Sequence, residues 1–221
     1  MKLLLEALAK FICGLLLVGL LIFLPAGTLR YTYGWLFVGL LFVPMLMAGF
    51  VMLYKSPEFL KKRLDAKEKQ GTQKGVVAFS GLMFIVGFLV AGLDFRFGWS
   101  NMPGWVIITA SVLFLAAYVL YAEVMRENVY LSRTIKVEAG QTVVDTGLYG
   151  IVRHPMYAVT ILLFLMIPLV LGSWYALIAF AFYPGVIVVR LTDEEKLLTE
   201  ELPGYAQYKQ KVKYRIIPFV W

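Results

Sequence analysis

Cysteine and histidine are almost missing from this 221-residue chain, which has one of each, Cys13 and His154. A lone thiol allows no intramolecular disulfide and no cysteine metal site, and a single imidazole excludes most metal constellations, so no metal is expected. Charge is scarce as well. Asp, Glu, Lys and Arg make up 16% of the residues, against about a quarter in a soluble domain. In their place, 61% of the chain is hydrophobic. The apolar residues form runs at 8–25, 33–54, 76–93 and 104–122, each close to the roughly 20 residues that cross a bilayer. A further run, 156–190, is too long for one crossing and is interrupted by Pro168 and by Leu171-Gly172-Ser173-Trp174, so it is expected to form a helical hairpin. The pattern predicts an all-α integral membrane protein with about six transmembrane helices, the last two forming the hairpin. Residues 1–122 form an N-terminal block of four helices with a loop over 55–75, and residues 123–221 form a second region.

The positions of basic residues orient these helices. The N-terminus and segments 55–75, 123–155 and 190–221 fall on one side and hold 19 of the 21 Lys and Arg, leaving Arg30 and Arg96 on the other. The positive-inside rule then makes both termini cytoplasmic. The net charge of +7 is explained by this topology and by contact with anionic lipid, and no nucleic-acid partner is needed. Lys2 and Lys10 before an apolar stretch resemble a signal peptide. The run is long and no clear small-residue cleavage pattern follows, so retention as a span is expected.

Several features have structural readings. Cys13 lies inside the first run as a small core or lipid-facing residue. Pro25-Ala26-Gly27 marks a turn, and Tyr31, Tyr33 and Trp35 fit an interfacial aromatic belt. Pro44 is expected to kink the second helix. Ser56-Pro57-Glu58 caps a short surface helix over 57–69. Gly81, Gly87 and Gly92 favour close helix packing. Asp94 and Arg96 belong to a short outer loop. Glu123 and Glu127 share a helix face where the fourth helix leaves the membrane, and charges at such an exit are mostly solvated.

The densest chemistry lies at Gly147-Leu148-Tyr149-Gly150-Ile151-Val152-Arg153-His154-Pro155-Met156-Tyr157, which ends the loop 129–155 and begins the hairpin. Within that loop, residues 137–147 read as extended segments separated by glycines. Pro155 suits the first turn of a helix and pushes His154 out of helical geometry. A hairpin returns to its starting side. His154, Tyr149 and Tyr157 should therefore face Arg190, Glu194 and Glu195, which lie where the second arm leaves the membrane. Arg190 and Glu194 share a helix face. Together they suit a mixed-charge ligand, or equally an ion pair that ties the helix end to the loop. Leu202-Pro203-Gly204 stops that helix, and Tyr205 and Tyr208 head a basic, amphipathic tail.

Arg153-His154-Pro155-x-Tyr157, then Arg190-x-x-x-Glu194-Glu195, then Tyr205-x-x-Tyr208 and an Ile217-Pro218-Phe219 ending resemble the isoprenylcysteine carboxyl methyltransferase family of integral membrane enzymes. The likeness covers about residues 123–221. It implies S-adenosylmethionine as the methyl donor. By position, it places Gln141, Thr142, Val143, Val144, Tyr149, His154, Pro155, Met156, Tyr157 and Glu194 around that cofactor. Arg190 would hold an acceptor carboxylate, and His154 would act as a base toward a thiol or amine. The family often has glycine two residues after the motif tyrosine. This chain has Val159 there, preceded by Ala158, which narrows the groove a lipid tail would use.

Methyl transfer to a carboxylate removes no proton, so the protein's task is orientation and exclusion of water. Aromatic rings suit a sulfonium, and an arginine fork suits a carboxylate. The expected function is therefore methylation of an amphiphilic or lipophilic acceptor, most simply a carboxylate such as that of a prenylated cysteine, at a site facing the cytoplasm. One alternative is an NADPH-dependent membrane reductase of the sterol-reductase type, although no Gly-x-Gly-x-x-Gly precedes a helix. Another is a non-catalytic membrane protein such as a small transporter, which would place polar groups in mid-membrane. Here the mid-helix regions are almost wholly apolar.

Overall fold

A computed structural model describes residues 2–64, 71–131 and 137–221. The apolar runs form α1 (Lys2–Ala26), α2 (Thr32–Lys55), α4 (Gly71–Phe97) and α5 (Gly104–Glu127), with α3 (Pro57–Leu64) between the second and third. A 3₁₀ turn (Gly147–Gly150) leads to α6 (Pro155–Val170), α7 (Trp174–Phe180), α8 (Tyr183–Glu201) and α9 (Tyr205–Lys211). Among the described residues there is no strand. The fold is all-α, as the hydrophobic pattern requires.

Among the described residues, five stretches are long and apolar enough to cross a membrane: Lys2–Ala26, Thr32–Lys55, Gln73–Phe97, Gly104–Glu127 and Trp174–Glu201. The expected sixth, α6, has 16 residues, or about 24 Å of helix against a hydrocarbon core of about 30 Å. Its length is set by chemistry at both ends. Pro155 fills the first helical turn, and the chain stops at Gly172 in the left-handed region (φ +73°). Ser173 then accepts from the Ala176 amide at 3.0 Å and caps α7. Pro168 lies inside α6 and does not break it. The second arm of the hairpin is itself divided at Ala181–Phe182. Pro184 has no N–H to continue the helical ladder, an interruption that the apolar run concealed.

α2, α4, α5 and α7 share an aromatic core. Phe37 meets Phe114 edge-on at 6.0 Å between centroids, and Phe180 meets Phe84 at 5.4 Å and Phe88 at 6.0 Å. Two of the three glycines expected at close contacts are there. A Cβ on Gly87 would lie 2.4 Å from the Phe180 ring, and one on Gly92 would lie 2.4 Å from the Ile22 carbonyl oxygen. Gly81 faces open space. Tyr33 and Trp35 are exposed, as a belt requires, whereas Tyr31 is buried. Tyr31 stacks on Phe95 at 4.2 Å and donates to the Leu171 carbonyl. An apolar ring that finds a partner for its hydroxyl can leave the interface.

Asp94 is likewise no loop residue. It is buried within α4, accepts from the Ser100 amide (2.7 Å) and hydroxyl (2.6 Å), and accepts from the Ser173 hydroxyl. This network pins the α6–α7 turn to the end of α4. Cys13 is exposed on α1. The short helix α3 ends among the described residues at Leu64, and the expected remainder, 65–69, lies outside them. α3 is more than a surface helix: Leu60 is buried, and Lys62 reaches the Glu138 carboxylate at 2.6 Å.

Gly92→Ala must move the α1 backbone and is expected to cost about 1–3 kcal/mol, read as a lower melting temperature in detergent. Gly81→Ala, in open space, should melt with the wild type. Equal melting of the two variants would contradict this packing.

Candidate active site

The Arg-His-Pro motif is fastened from both sides. Its backbone pairs with the C-terminal tail: the Arg153 amide donates to the Tyr214 carbonyl at 2.9 Å, and the His154 amide to the Arg215 carbonyl at 2.8 Å. Its side chains converge on Glu195 of α8, which is 4% exposed. Arg153 Nε lies 2.6 Å from Glu195 Oε1, and His154 Nε2 lies 3.2 Å from the same oxygen. Arg215 Nε completes the set at 3.1 Å from Oε2. A second Arg153 nitrogen donates to the Val212 and Lys213 carbonyls, both at 2.8 Å. A carboxylate removed from water needs such partners, and the chain brings them to α8 from the loop and the tail.

The next turn of α6 carries Tyr157. Its hydroxyl donates to Glu194 Oε2 at 2.5 Å and accepts from Arg190 Nε at 3.1 Å. Arg190 also donates to Gln73 Oε1 at 3.4 Å, and Gln73 Nε2 donates to Asp193 Oδ2 at 2.7 Å. The face shared by Arg190 and Glu194 therefore meets the motif through one tyrosine oxygen. Gln73 is buried and braces Arg190 from α4. A lone amide at the start of an apolar run was the sole sequence signal for it, and that signal names no partner.

Beside these residues lies a cleft that opens to solvent. Gln141, Thr142, Val143 and Val144 form one wall, and Tyr149, His154, Met156 and Tyr157 form the floor. Glu194 and Leu198 face them from α8, with Tyr205 and Tyr208 beyond. Of the expected cofactor residues, only Pro155 does not line the cleft. It is buried at the start of α6, where it sets the turn. Arg190 also lies off the cleft wall, behind Tyr157.

The wall is held in place by local polar contacts rather than by strands. Residues 137–146 form an irregular loop with a turn at Ala139–Gly140, and the rest of the expected loop, 132–136, falls outside the described residues. Gln141 and Glu138 exchange hydrogen bonds at 2.9 and 3.0 Å. Lys211 pairs with Asp145 at 2.6 Å and holds that carboxyl below its ordinary pKa. Gly147 takes φ +52° with Glu127 beside it, where a Cβ would sit 2.8 Å from the carboxyl carbon. Glu127 is thus built into the loop: its carboxylate accepts from Thr146 at 2.8 Å. Asn128 donates to the Tyr149 hydroxyl at 3.0 Å, and the Tyr208 hydroxyl donates to the Tyr149 carbonyl at 2.7 Å. Burial pushes the pKa of Tyr149, Tyr205 and Tyr208 upward, so all three keep their protons. Tyr205 lines the cleft, its enclosed hydroxyl has no hydrogen-bond partner, and no other buried side-chain oxygen or nitrogen among the described residues shares that condition.

The donor set fits S-adenosylmethionine. A carboxylate suits an amino or hydroxyl group, aromatic rings suit a sulfonium, and the valines and leucines suit the faces of a nucleobase. Among the described residues, no group of three or more His, Cys, Asp or Glu is placed to hold a metal.

Comparison with known proteins leads in the same direction. The sequence model of the isoprenylcysteine carboxyl methyltransferase (ICMT) family matches residues 105–200, which span α5, the loop, the hairpin and α8. The uncharacterized protein YpbQ of Bacillus subtilis is 32% identical over 97 residues, or 43% of this chain. The match spans 58% of that relative's length, a little over half. Tyr205, Tyr208 and the tail lie beyond the family match. Residues 105–200, which hold the motif and both acidic residues of α8, are thus similar to the isoprenylcysteine carboxyl methyltransferase family.

Proposed function

We propose that this protein is a membrane methyltransferase that uses S-adenosylmethionine and methylates an amphiphilic acceptor, a carboxylate attached to an apolar tail. The observation that carries the proposal is the Tyr157 hydroxyl, shared between Glu194 in the cleft and Arg190 behind it. The two charges are thereby kept apart for two ligands. Gln141–Val144, Tyr149, His154, Met156, Tyr157 and Glu194 would hold the cofactor, with Pro155 setting the turn that presents them. Bound there, S-adenosylmethionine supplies a methyl group on a positively charged sulfur.

Arg190 orients the acceptor carboxylate with its planar fork. The apolar tail has a place on the same side. A groove lined by Gly75, Val76 and Phe79 of α4 and by Phe182, Gly185, Val186 and Val189 at α8 ends one residue short of Arg190. Gly75 and Gly185 leave open space where side chains would stand, and Val159 and Ala158 lie on α6, away from this groove's lining. The chain's contribution to catalysis is placement and exclusion of water. A carboxylate acceptor has no proton to lose, so His154 is free to remain a structural partner of Glu195. The basic residues around this end of the bundle support a cytoplasmic side for the cleft.

Calorimetric titration of the detergent-solubilised protein with S-adenosylhomocysteine, run in parallel with NADPH, tests the cofactor. Saturable binding of S-adenosylhomocysteine is expected, weakened about tenfold or more by Glu194→Gln, which loses a hydrogen bond to a charged group. Glu195→Gln should instead lower the melting temperature, since its carboxylate faces protein partners. Binding of NADPH alone would move the protein to the reductases. In the acceptor groove, Gly185→Phe should abolish turnover of long-chain acceptors and leave S-adenosylhomocysteine affinity within about twofold, because it adds volume outside the cofactor cleft. Loss of cofactor binding in Gly185→Phe would refute the separation of the two sites.

A further inference from the structure

Tyr205 is 4% exposed, and its hydroxyl has neither solvent nor a protein partner. Leaving a buried hydroxyl unpaired is costly, and native interiors rarely do so. The position is also well determined. Gly204 adopts the left-handed conformation (φ +87°) to start α9, the Tyr205 amide donates to the Leu202 carbonyl at 3.2 Å, and the ring packs on Tyr208 at 5.7 Å between centroids. Tyr205 lines the same cleft as Glu194, His154 and Tyr157.

We infer that Tyr205 is a ligand-binding residue whose hydroxyl donates a hydrogen bond to a neutral acceptor on the nucleoside part of the cofactor, a ribose oxygen or a ring nitrogen. The inference rests on the S-adenosylmethionine proposal and adds to it a contact from the tail, outside the segment that matches the family. Two features set the polarity of the contact. Burial together with the negative charges of Glu195 and Glu194 keeps the phenol protonated, so it donates. Glu194 faces the same cleft, and its negative charge disfavours a carboxylate beside it, so the acceptor atom is uncharged. The tail then has two tasks. Residues 212–215 hold the motif, and α9 holds part of the ligand.

Tyr205→Phe removes the oxygen and keeps the packed ring. Titrations with S-adenosylhomocysteine and with 5′-methylthioadenosine, which lacks the amino-acid end, are read together with the melting temperature of the ligand-free protein. The expected result is a loss of about fivefold to tenfold in affinity for both ligands, the value of one hydrogen bond, with no fall in melting temperature. Unchanged affinity in Tyr205→Phe while the wild type binds normally overturns this inference alone. A penalty with S-adenosylhomocysteine but none with 5′-methylthioadenosine overturns the assignment to the nucleoside. A lower melting temperature with unchanged affinity makes the hydroxyl structural and also overturns it. Failure of the wild type to bind S-adenosylhomocysteine overturns the inference together with the cofactor proposal.

Discussion

The arrangement of the end of the bundle that holds the cleft depends on one buried carboxylate. Glu195 leaves water at a cost of several kcal/mol, and the cost is offset only while Arg153, His154 and Arg215 surround it. The partners come from two places: Arg153 and His154 end the loop before α6, and Arg215 lies in the tail. Neither segment could hold its position alone, because 137–154 and 212–216 contain no long helix or sheet ladder. The carboxylate substitutes for one. Removing a single partner of such a buried set costs about 3–5 kcal/mol, since the remaining charge stays enclosed.

The adjacent acidic residue has the opposite surroundings. Successive residues of a helix point about 100° apart, so Glu195 turns toward the tail while Glu194 turns toward Tyr157 and the cleft. One carboxylate is committed to structure and the other remains available to a ligand. The paired glutamates in sequence are therefore not interchangeable. Tyr157 extends this division, because its hydroxyl is the boundary between the cleft and Arg190. Gln73 supports that boundary from α4.

The far end of the bundle has its own polar anchor. Asp94 gathers Ser100 and Ser173, and Tyr31 meets the carbonyl of Leu171. α6 thus begins at the Glu195 cluster and ends beside the Asp94 network. Between them the contacts are apolar, with Gly87 and Gly92 allowing α4 to approach Phe180 and the α1 backbone. A short helix fixed at both ends keeps His154 and Tyr157 in register with α8, which a longer, freely sliding span would not do. The aliphatic residues exposed on α1, such as Leu16, Leu20 and Leu24, suit a lipid surround.

Much of this was legible in the sequence because it follows from local physics. Long apolar runs dictate helices, Gly172-Ser173 dictates a reversal, and Pro155 dictates the start of α6. The hairpin topology alone brought Tyr149, His154 and Tyr157 to Arg190, Glu194 and Glu195. What could not be read depended on facing and on partners distant in the chain. Tyr31 read as interfacial and Asp94 as part of a loop because burial of a polar group is decided by whether an acceptor or donor waits for it elsewhere. The break before Pro184 and the short α6 were hidden because hydropathy records composition and not helix continuity. Gln73, the unpaired Tyr205 hydroxyl and the different duties of Glu194 and Glu195 emerge only when α4, α8 and the tail are packed together. The sequence by itself determined an all-helical membrane protein with its chemistry gathered at one end, since apolar length and charge placement are properties of the chain alone. The tertiary structure decided which of those polar groups hold one another and which face the cleft, because a hydrogen bond needs a partner in space.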